Sequence, residues 1–174
     1  PADAVGETEY YAWDSMLAAK NIASTDITYA LPRRNWANGT TYDMYKHDIS
    51  SSSTSTSGAS NLYDSTFYFL TSDNRVYKVL DNNSGAAYSG SEPTSESTSP
   101  FELGGYVLKY MYSVTSAEAA KYLTTEFMPV STDTPVSAAA TDGKIESIIV
   151  TQGSGYTDGT YYAAVFGDGT SQGT

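Results

Sequence analysis

"STFYFLTSDNRVYKVLDNNSG", Ser65 to Gly85, carries the clearest strand signal in the chain. An apolar run, Phe67 to Leu70, meets a polar turn at Ser72-Asp73-Asn74. From there Arg75, Tyr77 and Val79 alternate with Val76, Lys78 and Leu80. Successive strand residues face opposite sides, so two such runs across a short turn predict an antiparallel hairpin, closed by Asn82 to Gly85.

Working outward, "FELGGYVLKYMYSV" places Gly104-Gly105 before a long strand from Tyr106 to Val114. Tyr106, Leu108, Tyr110 and Tyr112 fall on one face and Val107, Lys109 and Met111 on the other; both faces are apolar enough to be covered. Thr115 and Glu118 then form a capping-box pattern that predicts a short helix over "SAEAAKYL", ending at Thr124. Towards the amino terminus, "TEYYAWDSMLAAKN" spaces Tyr10, Trp13, Met16, Leu17 and Lys20 as one amphipathic helix, with Thr8 as N-cap and Asn21 as stop.

Two polar stretches interrupt these elements. "SSSSTSTSGAS", Ser50 to Ser60, has hydroxyls and glycine but almost nothing to bury, and reads as a mobile, dispensable loop. "SGSEPTSESTSP", Ser89 to Pro100, reads as a flexible linker. Beyond Thr134 the texture changes: "GKIESIIVTQGSGYTDGTYYAAVFGDGT" predicts two strands joined by a Gly-rich turn. The expected fold is therefore α+β and β-rich, a mixed or antiparallel sheet with two short helices. Residues 1–134 form the main domain, and a small, truncated Gly-rich β unit occupies 135–174. The start at Pro1 and the stop in a Gly/Ser/Thr tract are read as marking an interior piece of a longer polypeptide.

Composition narrows the functional classes. A chain of 174 residues with 2 Trp, 16 Tyr and 5 Phe can bury a real core. Its formal net charge of -11 repels phosphate backbones and anionic lipid heads, which argues against nucleic-acid and membrane partners. Neither a run of 18 apolar residues nor a basic-then-apolar leader is present in the sequence. Cysteine is absent, which removes disulfides, thiolate nucleophiles and thiolate metal sites.

No residue pattern rises to a catalytic, cofactor or metal site, and none is assigned; the expected cofactor set is empty. His47 is the sole histidine, so a Ser–His–Asp arrangement would need it with Asp43 or Asp48, yet "YKHDIS" reads as surface. Glu92, Glu96 and Glu102 sit in or beside the polar linker, which would not hold the fixed separation that sugar hydrolysis needs. Asp158 and Asp168 lie in turn sequences without the spacing of a calcium loop. Gly153, Gly155 and Gly159 read as hairpin glycines, because no lysine or helix follows as in a phosphate loop. Asn38-Gly39-Thr40 and Asn82-Asn83-Ser84 match a glycosylation sequon, a signal too common to carry meaning alone.

"ALPRRNWANGTTYDMY", Ala30 to Tyr45, concentrates Arg33, Arg34, Trp36, Tyr42 and Tyr45 in an acidic chain. Arginine, tryptophan and tyrosine are enriched at interface hot spots, and a guanidinium also pairs well with carboxylates of its own chain. Intra-chain pairing, subunit contact and phosphate recognition all remain open. Neighbouring residues of an extended segment point opposite ways, so one arginine is expected to be structural and the other interfacial.

The succession of a helix with a central Trp13, then "PRRNW" (Pro32 to Trp36), "VYKVLD" (Val76 to Asp81), "GYVLKYMY" (Gly105 to Tyr112) and Pro129-Val130 resembles the baseplate wedge subunit of contractile-tailed, T-even-like bacteriophages. The resemblance runs from Pro1 to Val130. Gly104 and Leu108 stand where that family often has Asp and Trp, and the family's amino-terminal strand and carboxy-terminal part are not in this sequence. "GSGYTDGTYYAAVFGDGT" is similar, more loosely, to Gly-rich β insertions in marine relatives of these phages. The resemblance implies a non-enzymatic structural protein of the virion, located in the tail baseplate and assembled in the host cytoplasm. Its partners would be other wedge subunits and a second copy in a homodimer. The alternative reading, from another class, is a carbohydrate-binding β module on a virion or cell surface, using exposed tyrosines and Trp36. A glycan hydrolase using the linker glutamates is a third. Aromatics spread over broad faces favour assembly, while a single aromatic-lined groove favours sugar.

Overall fold

The computed structural model describes residues 5–18 and 20–142, together with 145, 148, 155, 157, 159, 160 and 162. The chain divides into two units, 1–144 and 145–174. Most of the expected Gly-rich hairpin, with Gly153, Asp158 and Asp168, lies outside the described residues; of its turn glycines Gly155 and Gly159 are described, Gly155 with a φ of +85°.

The first unit is a small α+β fold. Helix α1 (Val5–Ser15) is followed by strands β1 (Ala30–Pro32), β2 (Tyr68–Leu70), β3 (Arg75–Asp81), β4 (Phe101–Leu103) and β5 (Tyr106–Ser113). Helix α2 (Ser116–Tyr122), strand β6 (Phe127–Pro129) and helix α3 (Thr134–Ala139) complete it. A four-stranded antiparallel sheet has the order β2-β3-β5-β4, and β1 pairs with β6 in a separate antiparallel ribbon. The expected hairpin is β2–β3, with Phe69 opposite Tyr77.

The sheet buries both faces. On one side Phe69, Tyr77, Val79, Tyr106, Leu108 and Tyr110 meet Tyr42 and Tyr88, brought over the sheet by irregular segments. On the other, Tyr68, Leu70, Val76, Tyr112 and Val114 meet Met128 of β6, with Leu31 of β1 and Ala119 and Leu123 of the α2 region packed alongside. Tyr112 does not share a face with Tyr110 as strict alternation requires. Val76 pairs with Tyr112 while the next residue, Tyr77, pairs with Tyr110, so a bulge at Met111 changes the facing of the strand.

The tyrosines do two jobs. Their rings fill the core, and their hydroxyls donate to backbone carbonyls of other segments. Tyr77 donates to the Ser95 carbonyl (2.8 Å), Tyr88 to Ser91 (2.8 Å), Tyr106 to Ala86 (2.6 Å), Tyr68 to Pro32 (2.8 Å) and Tyr112 to Pro129 (3.0 Å). Burial pushes the Tyr88 hydroxyl up to about 12, so it stays a donor across the physiological range. Gly104 lets the β4–β5 turn lie on the Tyr88 ring: its φ is +63°, and a Cβ there would stand 2.7 Å from the ring carbon Cζ.

Several expectations change. Among the described residues there are three α-helices where two were expected: α3 lies across the expected boundary at 134, with Val136 packed against the first core and Asp133 capping it through the Val136 amide (2.9 Å). Helix α1 begins before Thr8 and stops at Ser15, whose hydroxyl donates to the Tyr11 carbonyl (2.8 Å) and competes with the helical ladder. Helix α2 has the expected capping box between Thr115 and Glu118.

The largest corrections concern the polar stretches. The Ser50–Ser60 loop is pinned by Asp43, whose carboxylate is fully buried and accepts from the Ser57 amide (2.6 Å) and hydroxyl (2.7 Å). It also accepts from the Ser65 hydroxyl (2.9 Å) and the Thr66 amide (2.8 Å). Buried Asn82 adds a bond from Nδ2 to the Thr56 hydroxyl (3.1 Å) and another to the Tyr42 carbonyl (2.9 Å). The 89–100 linker is likewise fixed on the β2–β3 turn. Glu92 accepts from the Ser72 amide and hydroxyl, each at 2.6 Å, and Glu96 from Arg75 Nε at 2.7 Å.

Candidate functional site: an exposed amino-terminal arm

The five residues singled out between Ala30 and Tyr45 do not form one exposed face. Arg33 donates from Nη1 to the Thr124 carbonyl (2.9 Å) and from Nε to Asn35 Oδ1 (2.8 Å). Arg34 donates from Nη2 to the carbonyls of Tyr63 (2.9 Å) and Asp64 (3.0 Å), and its guanidinium lies 5.6 Å from the Tyr68 ring centre. Both arginines therefore serve backbone carbonyls, where carboxylates of this chain or of a neighbour were among the partners open to them. Trp36 is half-buried and meets the Tyr88 ring edge-on at 5.9 Å. Tyr42 is buried in the core, which places its ring out of reach of any partner. Tyr45 is half-buried beside Phe67, with the Lys78 ammonium 3.4 Å above its ring. The segment is an inner strap: the Leu70 amide donates to the Arg34 carbonyl (2.7 Å) and the Trp36 amide to the Leu70 carbonyl (2.8 Å), extending the sheet past β2.

The residues weighed for catalysis are dispersed in the same way. His47 is exposed, whereas Asp43 turns inward to its four hydrogen bonds. Asp48 accepts from the Ser53 hydroxyl. Glu92 and Glu96 are committed to the β2–β3 turn. Among the described residues, no group of three or more His, Asp or Glu side chains is placed to hold a metal ion, and no helix is long and apolar enough to cross a membrane.

A different region stands out by exposure. Tyr10, Tyr11, Trp13, Met16, Leu17, Ile22, Ile27 and Tyr29 are all exposed, with Trp13 at 63% and Leu17 fully so. These eight make up most of the exposed large apolar side chains described in the first unit. Isolated exposed apolar residues are ordinary, but a run of this length is not. Every side chain on helix α1 whose exposure is described faces solvent.

The arm is nonetheless attached at a defined point. Asp26 binds Lys20 and Lys121, each at 2.7 Å, and accepts from the Ala23 amide at 3.0 Å. Hydrogen bonds from Lys121, then Lys20 and Ala23, hold its carboxyl well below the usual range. Lys121 and the Tyr122 hydroxyl both donate to the Thr25 carbonyl, at 2.6 and 2.5 Å. From this anchor the chain enters β1, where the Val130 amide donates to the Tyr29 carbonyl (2.9 Å). Phe127 on β6 and Val130 just after it are exposed as well. A shallow cleft of about 460 Å³ opens along Ser24, Ile27, Thr28 and Tyr29.

The sequence pattern announced an amphipathic helix here and could not announce that its apolar side is left uncovered. Periodicity tells which face wants burial, but not against what. No protein-family model, curated protein or solved structure matches the chain.

Proposed function

We propose that this chain is a structural subunit of the tail baseplate wedge of a contractile-tailed bacteriophage, without catalytic activity, and that its exposed amino-terminal arm is an assembly surface. The subunit joins other wedge proteins and a second copy of itself, is put together in the host cytoplasm, and resides in the virion. One observation carries the assembly reading: the apolar and aromatic exposure runs along a projecting helix and an extended arm, while the body beneath is closed by two cores and hydroxyl-tied coil. Exposure spread along an arm suits protein contact, because Trp and Tyr anchors bury large area at low entropic cost. Among the described residues that line the cleft near Tyr29, Tyr29 is the aromatic one. The assignment to a baseplate wedge rests on the resemblance of "PRRNW", "VYKVLD" and "GYVLKYMY" to that family.

Removing residues 5–20 tests the proposal. The arm-less chain should melt within about 2 °C of its parent, since no described side chain of α1 belongs to either core, yet it should no longer co-purify with wedge partners. Full assembly without the arm would overturn the assembly reading. Stoichiometric binding of a defined oligosaccharide, lost on changing Tyr29, would favour the carbohydrate module instead.

A further inference from the structure

The charges on α1 narrow what the arm docks into. On a helix, residues four apart are surface neighbours. Tyr10 and Trp13 form an exposed stripe on α1, with Leu17 exposed in the bend that follows the helix, and Glu9 lies four residues before Trp13 while Asp14 lies four after Tyr10. At 100° per residue these carboxylates fall on opposite margins of the stripe. Both are exposed, and α1 contains no Lys or Arg. An isolated helix of this length is marginal in water, so it needs a partner to hold it.

We infer that α1 inserts, stripe first, into an apolar groove on a different protein whose two rims carry Lys or Arg. A second α1 is a poor occupant, because stripe-to-stripe packing of two copies brings acidic margins together without a cation on either helix. A groove with basic rims buries Tyr10, Trp13 and Leu17 and meets Glu9 and Asp14 with opposite charge. This is the helix-in-groove mode of recognition, with electrostatics choosing the partner. The inference rests on the assembly reading given above and adds the chemistry of the occupant.

The test replaces Trp13 with a photo-cross-linking phenylalanine analogue in the chain within its purified assembly, irradiates it, and reads the acceptor peptide by mass spectrometry. The expected acceptor is an apolar segment of a different protein flanked by Lys or Arg. The double reversal Glu9→Lys with Asp14→Lys should lower the cross-link yield at least tenfold, whereas Glu9→Gln with Asp14→Gln should lower it about threefold. Reversal without effect on yield overturns the charged-rim inference, as does an acceptor lacking basic residues. An acceptor in another copy of this chain overturns it while leaving the assembly reading intact; an acceptor elsewhere in the same chain, or no cross-link in an assembly that also tolerates arm deletion, overturns both.

Discussion

Replacing Asp43 should destabilise the chain more than any other polar change in the body. The carboxylate is fully buried and accepts four hydrogen bonds, two from the Ser57 and Thr66 amides and two from the Ser57 and Ser65 hydroxyls. In Asp43→Ala the hydroxyls can rotate towards other acceptors, but the two amides keep their direction and lose their acceptor. An orphaned buried donor costs about 1–3 kcal/mol, and breaking a buried charged network costs about 3–5 kcal/mol in total. For a body of this size that corresponds to a fall in melting temperature of roughly 10–15 °C. Asp43→Asn keeps one acceptor oxygen and turns an amide group towards donors, so about half of the loss should remain. Burial alone would raise the Asp43 pKa, but the bonds from Ser57, Thr66 and Ser65 outweigh it and hold the group at about 2. A depressed folded-state pKa means that its stabilisation is complete above the unfolded value near 4 and is lost as pH falls from there towards 2. Thermal or urea melts of parent, Asp43→Ala and Asp43→Asn between pH 2 and 7 measure both effects. Deleting residues 51–58 should cost a similar amount and add little on top of Asp43→Ala, because both remove the same contact. If Asp43→Ala melts like the parent, or if the loop deletion and the substitution are fully additive, the loop is not held by this carboxylate.

Three further expectations use the same measurement. Gly104→Ala must push the Tyr88 ring away from a Cβ at 2.7 Å and hold a positive φ, and should cost on the order of 2–3 kcal/mol. Tyr77→Phe and Tyr112→Phe each keep the ring but lose a bond to a backbone carbonyl, of Ser95 and of Pro129 in β6, and should cost about 1 kcal/mol apiece. Arg34→Ala removes two carbonyl contacts and the stacking on Tyr68, and should cost about 2 kcal/mol; Arg33→Ala, with one carbonyl contact, should cost about 1 kcal/mol, and both losses should be visible in the isolated chain.

The parts of the fold legible in the sequence are those whose signal is local. The β2–β3 hairpin, strand β5 and the Thr115–Glu118 capping box follow from alternation and from a side chain reaching its own backbone. Strands β1, β4 and β6 leave no such local signal. Each spans three residues, too few to show a period, and β1 and β6 both end on a proline that argues against a strand except at an edge. The serine-rich loop hides its order for a related reason: its composition offers no apolar area, while its order comes from Asp43, fourteen positions away from Ser57. The strap residues Arg33 to Tyr45 drew notice for their chemistry, yet their hydrogen bonds go to carbonyls that residue type cannot reveal. For the arm, the apolar spacing was visible and its lack of a covering element was not, because that depends on where every other apolar face has already gone.

Amide hydrogen exchange across α1, in the isolated chain and in the purified wedge, addresses the central claim most directly. In the isolated chain the α1 amides should exchange as fast as an unprotected peptide while β3 and β5 stay protected. In the wedge, α1 should gain protection of at least a hundredfold, with β3 and β5 unchanged. Protection of α1 in the isolated chain comparable to that of β5, or none in the wedge, would contradict the claim that this helix is an assembly surface.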